Sequence, residues 1–420
     1  MRLSTKSRPE KKIKWNPQVV SVSLNSDSSC VSIGSQRGFR VCQLSPFKRH
    51  NFNMKGGIGI CEMLGCSSLI AIVGGGDSPA FSSRRLRVFN TSTSTAIREM
   101  NFDYPIVAVR LNTRFLVVVL ALQVHIFNID TMKKTQVLDT PHNPHGLCTL
   151  QTMADNSSNR VLLCFPGSTD KGDVVVFNLA GQKVDEVVEA HQTPIAAMVL
   201  SSDGHYLATA SVKGTLIRIF DVSNGKQQIF ATFRRGVTSS TLMTMRFNST
   251  CSLLCCGSKN GTVHVFDINA VVDPLNSVSL AAIKLANAAN PSTASTAKAA
   301  AQSLFTGLIE TLPTVISSHR SSCSVNIDSD VSFICGFISV GVGSGESDIS
   351  EMSGGNGEVK VSDGVESETT RKKDCIVVVT SAGIVSIYSM NFVDGTGVLE
   401  NQHMLLENKN QQESTTTALQ

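Results

Sequence analysis

Phe233-Arg234-Arg235-Gly236 closes a strand-like run inside FATFRRGVTSS, from Phe230 to Ser240. Two adjacent fixed cations followed by a glycine suit the capture of an anion. A planar guanidinium meets phosphate oxygens with two parallel N–H···O bonds. Successive side chains of a strand point to opposite faces, so neighbouring arginines serve two pockets rather than one. Gly236 lets the chain turn and lets a bulky ligand approach the backbone. The flanks repeat one another. ATASVKGTLIRIF sets Ser211, Lys213 and Thr215 around Gly214, and CGSKNGTVHVF sets Ser258, Lys259 and Thr262 around Gly261. Each stretch offers hydroxyls and a lysine near a strand start. Two plainer readings stay open. Ser, Lys, Gly and Thr are ordinary turn residues, and a solvated arginine pair protects a strand edge from pairing with another chain.

Other chemistry finds little support. Val73-Gly74-Gly75-Gly76-Asp77 is glycine-rich, but no Gly-Lys-Ser/Thr follows, so it is not a phosphate-cradling P-loop. There is no GxSxG elbow and no HExxH. The nine histidines are scattered, and a lone strand histidine such as His125 reads as structural. The 12 cysteines include no CxxC pair of zinc spacing. Cys61, Cys148, Cys164, Cys255, Cys335 and Cys375 lie in apolar runs, where a free thiol behaves as a small hydrophobe. The basic N-terminus MRLSTKSRPEKKIK has no apolar signal segment. FLVVVLAL, from Phe115 to Leu122, is too short to span a bilayer. These features point to a reducing, cytosolic setting and to no enzyme. A net charge of +4 is far from the basic stripe of a nucleic-acid binder.

The elements that must position the arginines come from a repeat. Alternating apolar residues, an aromatic, then Asn or Asp recur in LRVFN (to Asn90), VHIFNI (to Ile129), VVVFNL (to Leu179), IRIFDV (to Val222) and VHVFDI (to Ile268). FRVCQL (to Leu44) and VSIYSM (to Met390) are degenerate copies, making seven. The first six recur roughly every 38 to 50 residues, near the period of propeller blades. Each copy is β-branched with period two, as a strand requires. The expected fold is all-β, a seven-bladed β-propeller over residues 18–392. A pair of β-sandwiches is the alternative, but it needs no repeated strand-end signature.

Two stretches interrupt the period. Residues 341–373 are rich in Gly, Ser and acidic residues and read as a disordered surface loop. Residues 269–318 are rich in Ala, Asn, Ser and Thr. Within them, Ala297 to Pro313 places Leu304, Phe305, Leu308 and Leu312 at helical spacing, giving a short amphipathic helix. From pattern alone that helix either packs on the propeller flank or lies in a membrane interface. Residues 1–17 read as a basic tail, and residues 393–420 as a C-terminal tail.

The Phe233 to Gly236 tetrapeptide, together with SIGSQRGFRV, EMLGCSSLIAIVGGG, RRLRVFN, NPHGLC and ATASVKGTLIRIF, resembles the PROPPINs, seven-bladed β-propellers that bind phosphoinositides. The resemblance is good over roughly Val19 to Ile268 and thinner beyond. It implies binding of phosphatidylinositol 3-phosphate and phosphatidylinositol 3,5-bisphosphate at two rim sites in blades five and six. Arg234 would serve one site with His191, Ser211, Lys213 and Thr215. Arg235 would serve the other with Ser258, Lys259, Thr262 and His264, joined by a basic residue after the insertion, here Arg320. The resemblance also implies that the blade-six loop inserts into membranes, which favours that reading of Leu304, Phe305, Leu308 and Leu312. No cofactor is implied. The implied role is a monomeric effector on preautophagosomal, endosomal or vacuolar membranes that scaffolds other autophagy proteins. The alternative is a propeller that binds protein partners only.

Overall fold

The computed structural model describes residues 18–153, 159–223, 225, 228–272, 319–327, 331–341 and 372–406. Four-stranded antiparallel units follow one another along the chain, the last two joined by a parallel bridge of Ser324 with Thr396. Blade one is β1–β4 (Val19–Leu24, Cys30–Ser35, Gly38–Leu44, Phe47–Asn53). Blade two is β5–β8 (Ile58–Met63, Leu69–Gly74, Arg85–Asn90, Thr95–Asn101), and blade three is β9–β12 (Ile106–Leu111, Phe115–Leu120, Gln123–Asn128, Lys134–Asp139). Blade four is β13–β16 (Thr149–Leu150, Leu162–Pro166, Gly172–Asn178, Lys183–His191), and blade five is β17–β20 (Ile195–Leu200, Tyr206–Ser211, Leu216–Asp221, Gln228–Arg234). Blade six starts with β21–β23 (Leu242–Phe247, Leu253–Ser258, Thr262–Asp267). One helical turn, α1 (Asn269–Val272), then leads into the insertion. The chain returns as β24 (His319–Arg320) and completes blade six with β25 (Cys323–Asn326). Blade seven is β26–β29 (Phe333–Gly341, Lys372–Thr380, Ile384–Asn391, Thr396–Met404). The first strands of the blades touch in cyclic order, β26 against β1 included, so the ring closes as a seven-bladed propeller.

Packing explains the strand sequences. Seven hydrophobic clusters lie between consecutive blades, one per interface. A middle strand is therefore buried on both faces and reads as a continuous apolar run. In β10, Phe115, Val117 and Val119 pack towards blade four, while Leu116, Val118 and Leu120 pack towards blade two. Each such side chain contributes roughly 1.5–3 kcal/mol on full burial. The repeated aromatic of each third strand sits in these interfaces, as Phe89, Phe127, Phe177, Phe220 and Phe266 show. All 12 cysteines are free thiols, and the six assigned to apolar runs are buried. The glycine run after β6 is a packing device. A Cβ on Gly75 would come within 2.4 Å of the Gly59 Cα, so the two backbones approach where no side chain fits.

Among the described residues, blade seven borrows no strand from the N-terminus. The junction of blades seven and one is held by side chains. Val31 and Ile33 pack against Val377, Val379 and Leu405. Arg40 donates to the Leu405 carbonyl at 3.1 Å, and Phe47 stacks on His403 at 4.1 Å. Arg246 of β21 adds a longer tie, donating to the carbonyls of Asn25 at 2.5 Å and Leu24 at 3.0 Å.

The C-terminal boundary needs correction. Residues 393–406 are not a tail: Thr396–Met404 pairs with β28 as the outer strand of blade seven, and Leu405 and Leu406 are buried. The outer strand meets water on most of its surface, so its sequence lacks apolar alternation. The basic tail 1–17, the amphipathic helix with Leu304, Phe305, Leu308 and Leu312, and residues 342–371 lie outside the described residues. Among the described residues, no helix is long and apolar enough to cross a membrane.

Candidate anion-binding site

β20 carries the arginine pair along the outer edge of blade five. Phe233 anchors it. The side chain is 1% exposed and its ring centroid lies 4.9 Å from that of Phe266, within the interface of blades five and six. Arg235 follows Phe233 with period two and turns to the same interface, where its charge acts on His264 and Cys256. Arg234 takes the other face. It pairs in register with Leu216, two residues from Arg218, which stands opposite Thr209. Thr209 Oγ1 lies 3.1 Å from His191 Nε2 at the end of blade four. Residues paired across a sheet share a face, so Arg234, Arg218, Thr209 and His191 belong to the junction of blades four and five. The two arginines thus look into neighbouring interfaces.

Their environments differ. Arg234 is exposed, while Arg235 is 7% exposed. Arg235 Nε donates to the Gly214 carbonyl at 2.6 Å, and one terminal nitrogen donates to the Thr238 carbonyl. Its backbone N–H bonds to the Thr215 carbonyl at 2.9 Å. Arg235 therefore fastens the segment after the motif onto the β18–β19 turn. That segment comes so close that a Cβ on Gly214, which has φ of +60°, would sit 2.0 Å from the Ser240 carbonyl oxygen. Gly236 differs: a Cβ there meets nothing within 4 Å, and its backbone is not left-handed. Packing does not require glycine at position 236.

One serine of the flanking turns bonds within its own turn. Ser258 is fully buried, and its hydroxyl lies within hydrogen-bond distance of the Asn260 side chain and of the Thr262 carbonyl, the latter at 3.1 Å. Ser211 is also buried. The same turn recurs in blades one and seven. Ser35 Oγ donates to the Gly38 carbonyl at 2.9 Å, and Thr380 Oγ1 donates to the Ile384 carbonyl at 3.3 Å. A Ser or Thr three residues before a glycine thus recurs at this hairpin in several blades. Lys213 and Lys259 are exposed on these turns, and Thr215 and Thr262 are half-buried beside them. Thr262 Oγ1 lies 3.5 Å from Asn326 Oδ1.

Both histidines are half-buried and held neutral. Burial, then the charge of Arg218, pulls His191 down to about 4. Burial, then the charge of Arg235, pulls His264 down to about 4. An arriving phosphate would oppose that depression in each case. His264 Nδ1 is 3.2 Å from Ser321 Oγ. His125 is structural, as expected: it is buried edge-on to Phe102 at 5.3 Å.

Arg320 does not join Arg235. β24 runs parallel to β20 with Phe233 opposite His319 and Arg234 opposite Arg320. The pairing sets Arg320 on the face of Arg234. Sequence reasoning also missed Arg218 and Thr209. Their signal was present in TLIRIF, where a cation interrupts a strand whose same-face neighbour Phe220 is buried between blades.

A second polar cluster lines the central cavity of about 1190 Å³. Glu62 accepts from Ser23 Oγ at 2.8 Å and faces Arg110 at 3.8 Å, and Arg246 is engaged by carbonyls. With Glu62 paired to Arg110 and Arg246 bonded to carbonyls, the outer site is the better candidate.

The sequence model of the PROPPIN family matches residues 18–317. Autophagy-related protein 18 of Yarrowia lipolytica is 39% identical over 268 residues, which are 60% of this chain and 66% of that protein. Autophagy-related protein 18 of Dictyostelium discoideum is 33% identical over 256 residues, covering 61% and 67%. That of Neosartorya fischeri is 36% identical over 266 residues, covering 59% and 60%. The matched stretch spans about two thirds or less of these relatives' length. Among solved structures, Kluyveromyces lactis Hsv2p superposes with a TM-score of 0.61 at 20% identity, covering 93% of this chain and 99% of that one. KlAtg21 in complex with the coiled-coil of AgAtg16 gives 0.62 at 23% identity, covering 93% and 100%.

Proposed function

The chain belongs to the PROPPIN family, and from that premise we propose that it is a phosphoinositide effector of autophagy, recruited to membranes by phosphatidylinositol 3-phosphate and phosphatidylinositol 3,5-bisphosphate. The observation that carries this reading is the placement of Arg234 and Arg235 on opposite faces of one rim strand. Arg234 works with His191, Lys213 and Thr215, and Arg235 with Lys259, Thr262 and His264. Ser211 and Ser258 shape the turns that present the lysines and threonines. A phosphomonoester in either pocket gains charge-assisted hydrogen bonds worth about 1.5–3 kcal/mol each. Two pockets on one membrane then combine through effective concentration, so weak single sites give firm recruitment. Leu304, Phe305, Leu308 and Leu312 add apolar contact with the bilayer. The protein acts by bringing partners to that surface; a solved neighbour of the same fold was captured with a coiled-coil.

Cosedimentation with phosphatidylcholine vesicles carrying phosphatidylinositol 3-phosphate tests the proposal. The wild type sediments, and Arg234→Thr/Arg235→Thr stays in solution while circular dichroism still reports a folded propeller. Sedimentation of the folded double variant at the wild-type level overturns it.

A further inference from the structure

Five blades bring the fifth residue of their first strand to one level of the central cavity. Ser23 pairs with Ser32, Glu62 with Ala71, Arg110 with Val117, Val199 with Ala208 and Arg246 with Cys255, an equivalent register in β1, β5, β9, β17 and β21. All five line the cavity of about 1190 Å³. The equivalent residue of blade seven is Gly336, opposite Val377, which precedes Thr380 as Cys255 precedes Ser258. A Cβ on Gly336 would lie 3.1 Å from Arg246 Cδ, so the missing side chain clears the path by which Arg246 reaches blade one. One level of the channel therefore holds two guanidiniums and one carboxylate. Glu62 Oε1 is 3.8 Å from Arg110 Nη1, and Glu62 Oε2 accepts from Ser23 at 2.8 Å. The charges of Glu62 and Arg110 both reach Arg246. One carboxylate neutralises one cation, so an excess positive charge stays at this level.

We propose that this level of the channel is an anion site separate from the rim, taking a phosphate-sized oxyanion between Arg110 and Arg246. A guanidinium has five N–H donors. Carbonyls take two from Arg246, and Arg110 gives one to the Val109 carbonyl at 2.8 Å. All three charged residues are half-buried against the cavity, within reach of a small guest. Planar forks from two blades suit a tetrahedral oxyanion held from two sides. Glu62 has a double part: it positions Arg110 and it repels the guest, which keeps the site weak. Among the described residues, the other carboxylates of the lining are Asp27 and Asp374. Both lie at the mouth formed by the first hairpin turns, and both already accept hydrogen bonds there, Asp27 from Ser29 and Asp374 from Asn248 and Ser339. From the opposite mouth an anion meets no described carboxylate before Glu62.

Titration calorimetry tests it in the Arg234→Thr/Arg235→Thr background, which silences the rim, with inorganic phosphate and glycerol 3-phosphate as probes. The background binds phosphate. Arg110→Gln added to it weakens that binding roughly tenfold or more. Glu62→Gln tightens it severalfold, because the competing carboxylate is gone. A network that serves only the fold gives another pattern: both changes lower the melting temperature and neither alters the binding heats. Binding of both probes assigns the site to the oxyanion itself, and binding of glycerol 3-phosphate alone assigns it to a phosphorylated small molecule. No heat with either probe in a chain that melts as a folded propeller overturns the proposal. So do equal affinities in the background and its Arg110→Gln derivative, or weaker binding after Glu62→Gln.

Discussion

The Arg235 guanidinium donates from Nε to the carbonyl of Gly214 at 2.6 Å, tying the motif to the preceding hairpin turn of its own blade. Arg234, one residue earlier, is exposed on the opposite face. The two arginines therefore differ in what their loss does to the fold. Arg235→Thr strips the carbonyls of Gly214 and Thr238 of a buried donor and lowers stability by roughly 1–3 kcal/mol. Arg234→Thr, at an exposed side chain, costs less. Urea unfolding of the two single variants checks this, and equal midpoints contradict it.

Gly236 separates fold from ligand. A Cβ there meets open space on a backbone that is not left-handed. Gly236→Ala leaves the folded state intact and raises stability by up to about 1 kcal/mol through the unfolded chain. It also weakens vesicle binding by filling the space a head group needs. A melting temperature at or above that of the wild type, with reduced cosedimentation, is the expected pair of results.

Acid acts through the two histidines. Their folded values of about 4 lie below the ordinary 6.5. Between those values the unfolded chain binds protons that the native state refuses, so stability falls as pH drops from about 6.5 to about 4. Above that window the histidines leave stability unchanged. His191→Gln/His264→Gln flattens the dependence, which urea midpoints measured from pH 7.5 to 4.5 reveal.

Arg246 spans from blade six to the carbonyls of blade one. Arg246→Ala lowers stability by about 1 kcal/mol, with water in the cavity replacing part of the lost bonding. The effect on head-group affinity is nil, because the tie lies at the axis and the arginine pockets lie at the rim.

Phe305→Asp weakens vesicle binding and leaves the affinity for soluble inositol 1,3-bisphosphate unchanged. Loss of both marks the segment as part of the fold rather than a membrane contact.

Much of this was legible in the sequence for physical reasons. The aromatic-Asn/Asp signature marks the third strand of blades two to six because that strand is buried between two neighbours, and Phe89 to Asn90 or Phe266 to Asp267 sit at its end. The split of Arg234 from Arg235 follows from the pleat. The outer strands were harder. β4, FKRHNFN, and β29, TGVLENQHM, are mostly exposed, so neither alternation nor apolar runs mark them. That is why residues beyond 392 read as a tail. The face of Arg320 depends on a two-residue pairing with a strand 86 positions earlier, which no local pattern encodes. The serines near Gly214 and Gly261 show how a turn and a site can share a pattern. Ser35 and Thr380 make comparable turn bonds in blades without the arginine pair, so the motif alone does not separate the two roles.

Among the described residues, blades one and seven are each made from consecutive strands, and they meet by side-chain contact alone. Nothing has to be unthreaded to part blade seven from blade one. The propeller is topologically an open necklace whose clasp is Val31, Ile33, Leu405 and the reach of Arg40. A chain rejoined across that clasp and cut between two other blades has the same ring to build. The crossing at β24 is the exception, since a cut there detaches the wall that blade five takes from the chain of blade six.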